Sequence, residues 1–387
     1  MTCQGDRVIK VAIVRGGSSK AIVVLRNELP RDSKARDEVI LSLFGSPDIR
    51  QIDGLGGAQN LTSKLAIIGP PTRSDADVDY LFGQVQITRP FIDYRANCGN
   101  ISSAIGPIAI QYGLVDAVEP VTTVRINQVN TRSIIRAGIP VKDGHVVLCG
   151  SYVVDGVPGS GARIDLDFSD SAGAILKKGL LPTGKVTESL SVPGVGKFKI
   201  TIVDAANLVV FVNSEEVGLT GGEQLFDLEN DKKLIERLEQ IRGTAAEHVG
   251  LLRDWKAVDF ETNSNPYVAI VKKPNTYKVY TTGKYLDEED YDLHARLFAN
   301  RIFHRAYPGT GTVATGVAAR IPGTVVSELV PANIEPLRIG HPAGIIEISV
   351  QVKQQQDGPS IVKACYGRTA RVLLEGHAFL RPDIASW

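Results

Sequence analysis

Short apolar, β-branched runs recur along the chain between glycine- and proline-marked breaks. Those at 8–14, 21–25, 65–68, 78–87, 121–126, 133–139 and 145–148 predict strands. Helical spacing of apolar positions appears in fewer places, at 35–44, 101–111, 225–242, 288–306 and 313–319. The stretch 288–306 is charged and amphipathic, which predicts a helix with one wet face. Many strands and few helices predict an α+β fold in which each helix lies under or inside a curved sheet.

At 387 residues two domains are expected. Between 176 and 199 stand Pro182, Gly184, Pro193, Gly194 and Gly196, the composition of a passage between domains. This places a boundary near 190, with an N-terminal lobe at 1–190 and a C-terminal lobe at 191–387 whose last strand can return to the first.

The two halves resemble each other. Val11-Ala12-Ile13-Val14 is similar to Ile200-Thr201-Ile202-Val203, and Leu65-Ala66-Ile67-Ile68 to Val268-Ala269-Ile270-Val271. Cys98-Gly99-Asn100-Ile101 is similar in the same way to Thr310-Gly311-Thr312-Val313. The matches keep their order, as expected of a duplicated topology with a pseudo-two-fold axis and a cleft. In that alignment Lys64 falls opposite Tyr267, and Cys98 opposite Thr310. Asn97-Cys98-Gly99-Asn100 leads into a helix, with Asn100 expected as its cap and the first-turn N–H groups of Gly99, Asn100 and Ile101 unpaired. Gly311 and Thr312 would present similar donors, and two opposed helix N-termini suit an anion with more than one carboxylate.

Charge and composition narrow the function. Lys+Arg and Asp+Glu number 43 each, and no basic block occurs, which argues against nucleic acid or an anionic membrane surface as partner. No apolar window approaches the ~18 residues of a membrane span, and the polar N-terminus has no signal-peptide pattern, so a cytoplasmic location is expected. The four cysteines, Cys3, Cys98, Cys149 and Cys365, form no C-x-x-C pair, and the six histidines show no metal-binding spacing. No metal and no cofactor are expected. Gly179–Val186 imitates a P-loop but lacks its Ser/Thr and a preceding strand. Gly309–Ala314 matches a dinucleotide loop loosely, after a predicted helix instead of a strand.

Three segments carry a family resemblance: Arg15-Gly16-Gly17-Ser18-Ser19-Lys20, Gly56-Gly57-Ala58-Gln59-Asn60-Leu61-Thr62-Ser63-Lys64, and Asn97-Cys98-Gly99-Asn100-Ile101-Ser102-Ser103. Thr315–Thr324 and Gly340–Gly344 extend it. Together they resemble the PrpF family of the diaminopimelate-epimerase-like superfamily, isomerases and tautomerases of unsaturated polycarboxylates. The resemblance implies two pseudo-symmetric lobes, each a curved, mostly antiparallel sheet around a central helix, with the active site in the cleft between them. It implies a cofactor-independent isomerase that shifts a C=C bond by allylic 1,3-proton transfer in a small unsaturated di- or tricarboxylate. The stretches 43–54 and 75–80 look most like the methylitaconate delta-isomerase branch. The alternatives are cis-trans isomerisation of aconitate or 2-methylaconitate and, without catalysis, a polycarboxylate-binding accessory protein of a dehydratase. A homo-oligomer is compatible with all three.

The resemblance puts Lys64 forward as the base and Cys98 as its thiol partner. Substrate binding would fall to Ser18, Ser19, Asn60, Ser63, Asn97, Gly99, Asn100, Ile101, Lys272, Gly311, Thr312 and His341. A free lysine titrates near ~10.4, so Lys64 would need burial and a nearby cation, Lys20 or Arg15, to lose its proton near neutrality. Cys98 at a helix N-terminus is expected to ionise readily. The plainer readings are a solvated edge lysine, an inert core thiol and a simple turn at Gly16–Ser19. Cys3, Cys149 and Cys365 are read as structural.

Overall fold

A computed structural model describes residues 7–95, 97–262, 265–356, 358–381 and 384; Cys3 lies outside them. The chain divides into two compact units: one holds 1–153, 159–166 and 368–387, the other 154–158 and 167–367. The change of unit thus falls at 153–167 and not near 190. The Pro/Gly segment instead makes turns inside the second unit, with Gly184 and Gly194 at φ +72° and +73°, and the strand Glu188–Val192 pairs with Gly196–Ala205. The last strand, Ala370–Phe379, belongs to the first unit.

In the first unit β1 (Val8–Gly16) and β2 (Ser19–Leu25) form an antiparallel hairpin. β2 pairs in parallel with β3 (Lys64–Gly69), and β3 antiparallel with β4 (Val78–Val85). β4 then pairs in parallel with Val121–Gln128, which turns back antiparallel into Ser133–Lys142. The strand Ala370–Phe379 closes the other edge against β1. Helix α1 (Ser33–Phe44) is capped by Asp32, whose carboxylate accepts from the Ala35 N–H at 2.8 Å, and it ends at Gly45 with φ +70°. Its Val39, Ile40, Leu43 and Phe44 pack on Ile22, Val24, Leu65 and Ile67. Helix α2 (Gly99–Gln111) packs on other residues of the same strands and is buried from Gly99 to Ala109. Its buried residues include the polar Asn100, Ser102 and Ser103, whose side chains are hydrogen-bonded within the first unit.

The second unit repeats this order. Gly196–Ala205 and Asn207–Asn213 form a hairpin, and the latter pairs in parallel with Tyr267–Lys272. Tyr267–Lys272 pairs antiparallel with Leu293–Ala299, which pairs in parallel with Leu337–His341; that strand turns back antiparallel into Gly344–Gln355. Lys232–His248 packs Leu234, Leu238, Ile241 and Ala245 on one face of the sheet. Gly309–Ala319 is buried throughout, as α2 is. Gly106 and Gly316 stand at the same position of the two buried helices, and a Cβ at either would strike the last paired strand, at 2.7 Å from Ile139 Cδ1 and 2.6 Å from Val350 Cγ2. The repeat seen in three short matches therefore extends through the topology of both units.

Two helix expectations change. The run at 225–242 becomes two helices, Leu225–Asn230 and Lys232–His248, because the Asp231 side chain caps the second by accepting from the Leu234 N–H at 3.0 Å. The stretch 288–306 is no amphipathic helix. Its acidic start forms a turn, with the Asp287 N–H donating to Asp290, and Leu293–Ala299 is a strand buried on both faces. Its polar residues His294 and Arg296 are 2% and 6% exposed. With both faces covered, the strand lacks the alternation that would identify it. Gly309 consequently follows strands and not a helix, and Gly311 is explained by packing, since its Cβ would lie 2.8 Å from Leu297 Cδ1.

Among the described residues, no helix is long and apolar enough to cross a membrane.

Candidate functional site

Lys64 opens β3. Leu65 and Ile67 join the α1 core, so strand alternation turns Lys64, Ala66 and Ile68 to the opposite face, where α2 lies. The lysine is 8% exposed. Its Nζ donates to Gln84 Oε1 at 2.7 Å and lies 5.3 Å from the Phe82 ring centre. Burial lowers its pKa from the ordinary lysine value, while the charge that Cys98 can carry acts to raise it. The expected help from Lys20 or Arg15 is not the cause. Arg15 instead donates to the carbonyls of Thr369 and Gly17 at 2.8 and 3.0 Å.

Cys98 is a free, buried thiol at the N-cap position of α2. The Ser102 N–H closes the first helical turn on the Cys98 carbonyl at 3.1 Å. Among the described residues, no hydrogen bond is donated by the N–H groups of Gly99, Asn100 or Ile101, as geometry dictates for the first turn of a helix. Asn97 Oδ1 and Ser19 Oγ are buried polar atoms without a partner among the described residues, an unfavourable state that a ligand would relieve. The expected capping role of Asn100 is not seen. Its side chain instead donates to Ser18 Oγ at 3.2 Å and accepts from Arg368 Nε at 3.0 Å. That bridge ties the β1–β2 turn to α2, and the two glycines allow it: a Cβ at Gly16 would lie 2.6 Å from the Asn100 carbonyl oxygen, and one at Gly17, with φ +49°, 2.5 Å from Asn100 Oδ1.

Ser63 is fully buried and its hydroxyl is spent on the fold, donating to the Val85 carbonyl and accepting from Gln51 Nε2 at 2.8 Å. Asn60 is half-buried beside it, its carbonyl accepting from Gln84 Nε2 at 3.3 Å.

In the second unit the cap residue is Pro308, and Gly309 opens the helix as Gly99 does. The residue matching Cys98 is therefore Pro308, two positions before Thr310, and Thr310 matches Asn100. Thr310 Oγ1 is buried without a partner among the described residues. The Thr312 N–H and hydroxyl both donate to the Pro308 carbonyl, at 2.8 and 3.0 Å, so neither is left for a ligand. The Gly311 N–H remains a first-turn donor. Lys272 stands apart from these groups. It follows Val268 and Ile270 on the face covered by Lys232–His248, and its Nζ donates to the Thr220 carbonyl at 2.5 Å. His341 is buried, with Nδ1 accepting from the Ala343 N–H at 3.2 Å and its carbonyl accepting from the Tyr277 hydroxyl at 2.8 Å.

Cys149 is exposed, so it is not a core residue. Burial and Asp167 push the Cys365 thiol up to about 12, which makes it unreactive. Sequence reasoning missed Gln84 and Arg368. Gln84 left a faint signal, an uncharged polar residue at the end of an otherwise mostly apolar run; Arg368 left none.

A family model described as "PrpF protein" matches residues 7–381. The chain is 44% identical over 374 residues to a 3-methylitaconate isomerase of Eubacterium barkeri, covering 96% of this chain and 97% of that protein. It is 38% identical over 383 residues to a 2-methyl-aconitate isomerase of Shewanella oneidensis, covering 95% and 96%. Among solved structures, a methylitaconate-delta-isomerase superposes with a TM-score of 0.81 at 42% identity, covering 99% of this chain and 98% of that one. The fold is of the expected diaminopimelate-epimerase-like α+β class.

Proposed function

This chain belongs to the PrpF protein family, and from that premise we propose that it is a cofactor-independent isomerase that moves a C=C bond in a small unsaturated di- or tricarboxylate such as methylitaconate. The observation that carries the reading is the Lys64 amine, buried and hydrogen-bonded to an uncharged acceptor, on the same side of the sheet as the Cys98 thiol and the open first turn of α2.

The reaction needs a proton removed from the sp³ carbon beside a carboxylate and one returned to the far carbon of the double bond. Burial favours the neutral form of Lys64, so its lone pair can take the first proton and become the ammonium. The electron pair left behind delocalises as a dienolate, and charge grows on the carboxylate oxygens. The N–H groups of Gly99, Asn100 and Ile101 are fixed donors suited to that charge and require no reorganisation. Protonation at the methylene carbon converts it to a methyl group; either the Lys64 ammonium gives the proton and returns to the amine, or the Cys98 thiol gives it and its thiolate then regains a proton from the Lys64 ammonium. Ser19 Oγ supplies a buried donor for the substrate's second carboxylate, and Asn97 Oδ1 a buried acceptor for a bound water. On the second unit Thr310 and Gly311 are the groups that correspond to Asn100 and Ile101, while the Lys272 amine is bonded to the Thr220 carbonyl and is given no binding role.

The likeness to a 2-methyl-aconitate isomerase favours a second reading, cis-trans isomerisation through the same allylic anion. Incubation with methylitaconate, cis-aconitate, 2-methylaconitate and 4-oxalomesaconate in deuterated water, followed by NMR, tests both. Turnover of methylitaconate with deuterium in the new methyl group is expected. Binding without deuterium entering any of the four would leave only the accessory-protein role.

A further inference from the structure

Lys64 is paired in register with Gln84 across the β3–β4 ladder, and the contact between the two side chains has a defined polarity. Gln84 Nε2 donates to the Ser63 carbonyl at 2.9 Å and to the Asn60 carbonyl at 3.3 Å. A carbonyl can only accept, so this end of the carboxamide must be its NH₂ group. The oxygen is thereby turned to Lys64 Nζ, 2.7 Å away. We infer that Gln84 is a positioning residue for the proposed reaction: its carboxamide, held in one orientation by the Asn60–Ser63 turn, aims the Lys64 amine without placing a formal charge against it. This rests on Lys64 being the base.

The choice of an amide has a physical reason. A carboxylate at this distance would hold the lysine as ammonium, and an apolar side chain would leave its N–H groups without this acceptor. The other groups facing Lys64 leave the task to Gln84. β2 presents Ala21 and Val23, opposite Lys64 and Ala66; β4 presents Phe82 and, further along, Tyr80. Cys98 at the head of α2 is the titratable neighbour whose charge acts on the amine. Arg15 and Lys20 are the cations of the β1–β2 turn.

The test compares Gln84→Glu and Gln84→Met in the full-length protein, by the pH dependence of turnover and by ¹³Cε-lysine NMR of the free protein, with Lys64→Met assigning the resonance. Gln84→Glu should move the Lys64 titration and the rising limb of the rate profile upward by about 1–3 units, lowering the rate below the limb about tenfold per unit. Gln84→Met should move both the opposite way. If Gln84→Met does not fold, Gln84→Asn, which withdraws the oxygen by one methylene, takes its place with the same expected direction. Parallel loss of rate in the variants with an unmoved Lys64 titration would overturn the inference. Opposite titration shifts in a protein that turns over none of the four polycarboxylates would uphold the role of Gln84 and sink the proposed reaction instead.

Discussion

At the head of α2 the first unit carries Lys64 and Cys98; at the corresponding places the second unit carries Tyr267 and Pro308. Both units keep the strand order, the buried helix and its open first turn, whose N–H groups are donors of the kind that suits an anion. They do not share the ionisable pair. Proton transfer is thus assigned to one unit alone, which suits moving a double bond by removal and return of a proton and does not suit a two-base inversion, where each face needs its own acid or base.

The largest effect is expected from deleting the base. Lys64→Ala should lower turnover by about 10²–10⁴, measured as deuterium entry into the substrate, while polycarboxylate binding followed by calorimetry persists. Cys98→Ser should cost less, about 10–10² in kcat. A loss as deep as that of Lys64→Ala would make the thiol an equal partner in proton transfer.

The shared scaffold gives a stability comparison. Gly106→Ala and Gly316→Ala should each destabilise by about 1–3 kcal/mol through overpacking, read from denaturant midpoints. Gly316→Ala should cost more. At Gly106 one side chain must give way, Ile139, with Cδ1 and Cγ1 at 2.7 and 2.8 Å, whereas at Gly316 two β-branched side chains must, Val350 and Ile348, with Cγ2 groups at 2.6 and 3.0 Å. Equal costs would mean that the two packing faces are not as different as their side chains suggest.

The smallest expected effect is a pH dependence belonging to the first unit. The folded-state pKa of Lys64 lies below its ordinary value, 10.5. Below the folded pKa, folding therefore carries the full cost of burying an ammonium; the cost fades as pH rises and is gone above 10.5. Lys64→Met should raise the melting temperature at neutral pH and lose that advantage as pH approaches 10.5. An advantage constant with pH would mean that packing and not charge sets the difference.

Residues alone determined a good deal. Apolar spacing and β-branched runs located β1 to β3, both buried helices and α1, because the composition and period of an element are local properties of the sequence. The glycines at 16 and 17, the Asn-Cys-Gly-Asn run and the isolated Lys64 marked the region of interest before any contact was known. Tertiary structure decided which polar groups are buried and what they meet. It placed His294 and Arg296 inside a sheet, moved the helix match from Thr310 to Pro308, spent the Ser63 and Thr312 hydroxyls on backbone carbonyls, sent Lys272 to the far face and set Gln84 against Lys64. These outcomes depend on pairing between strands far apart in the chain, and local spacing carries no record of a neighbour that arrives from a distant strand.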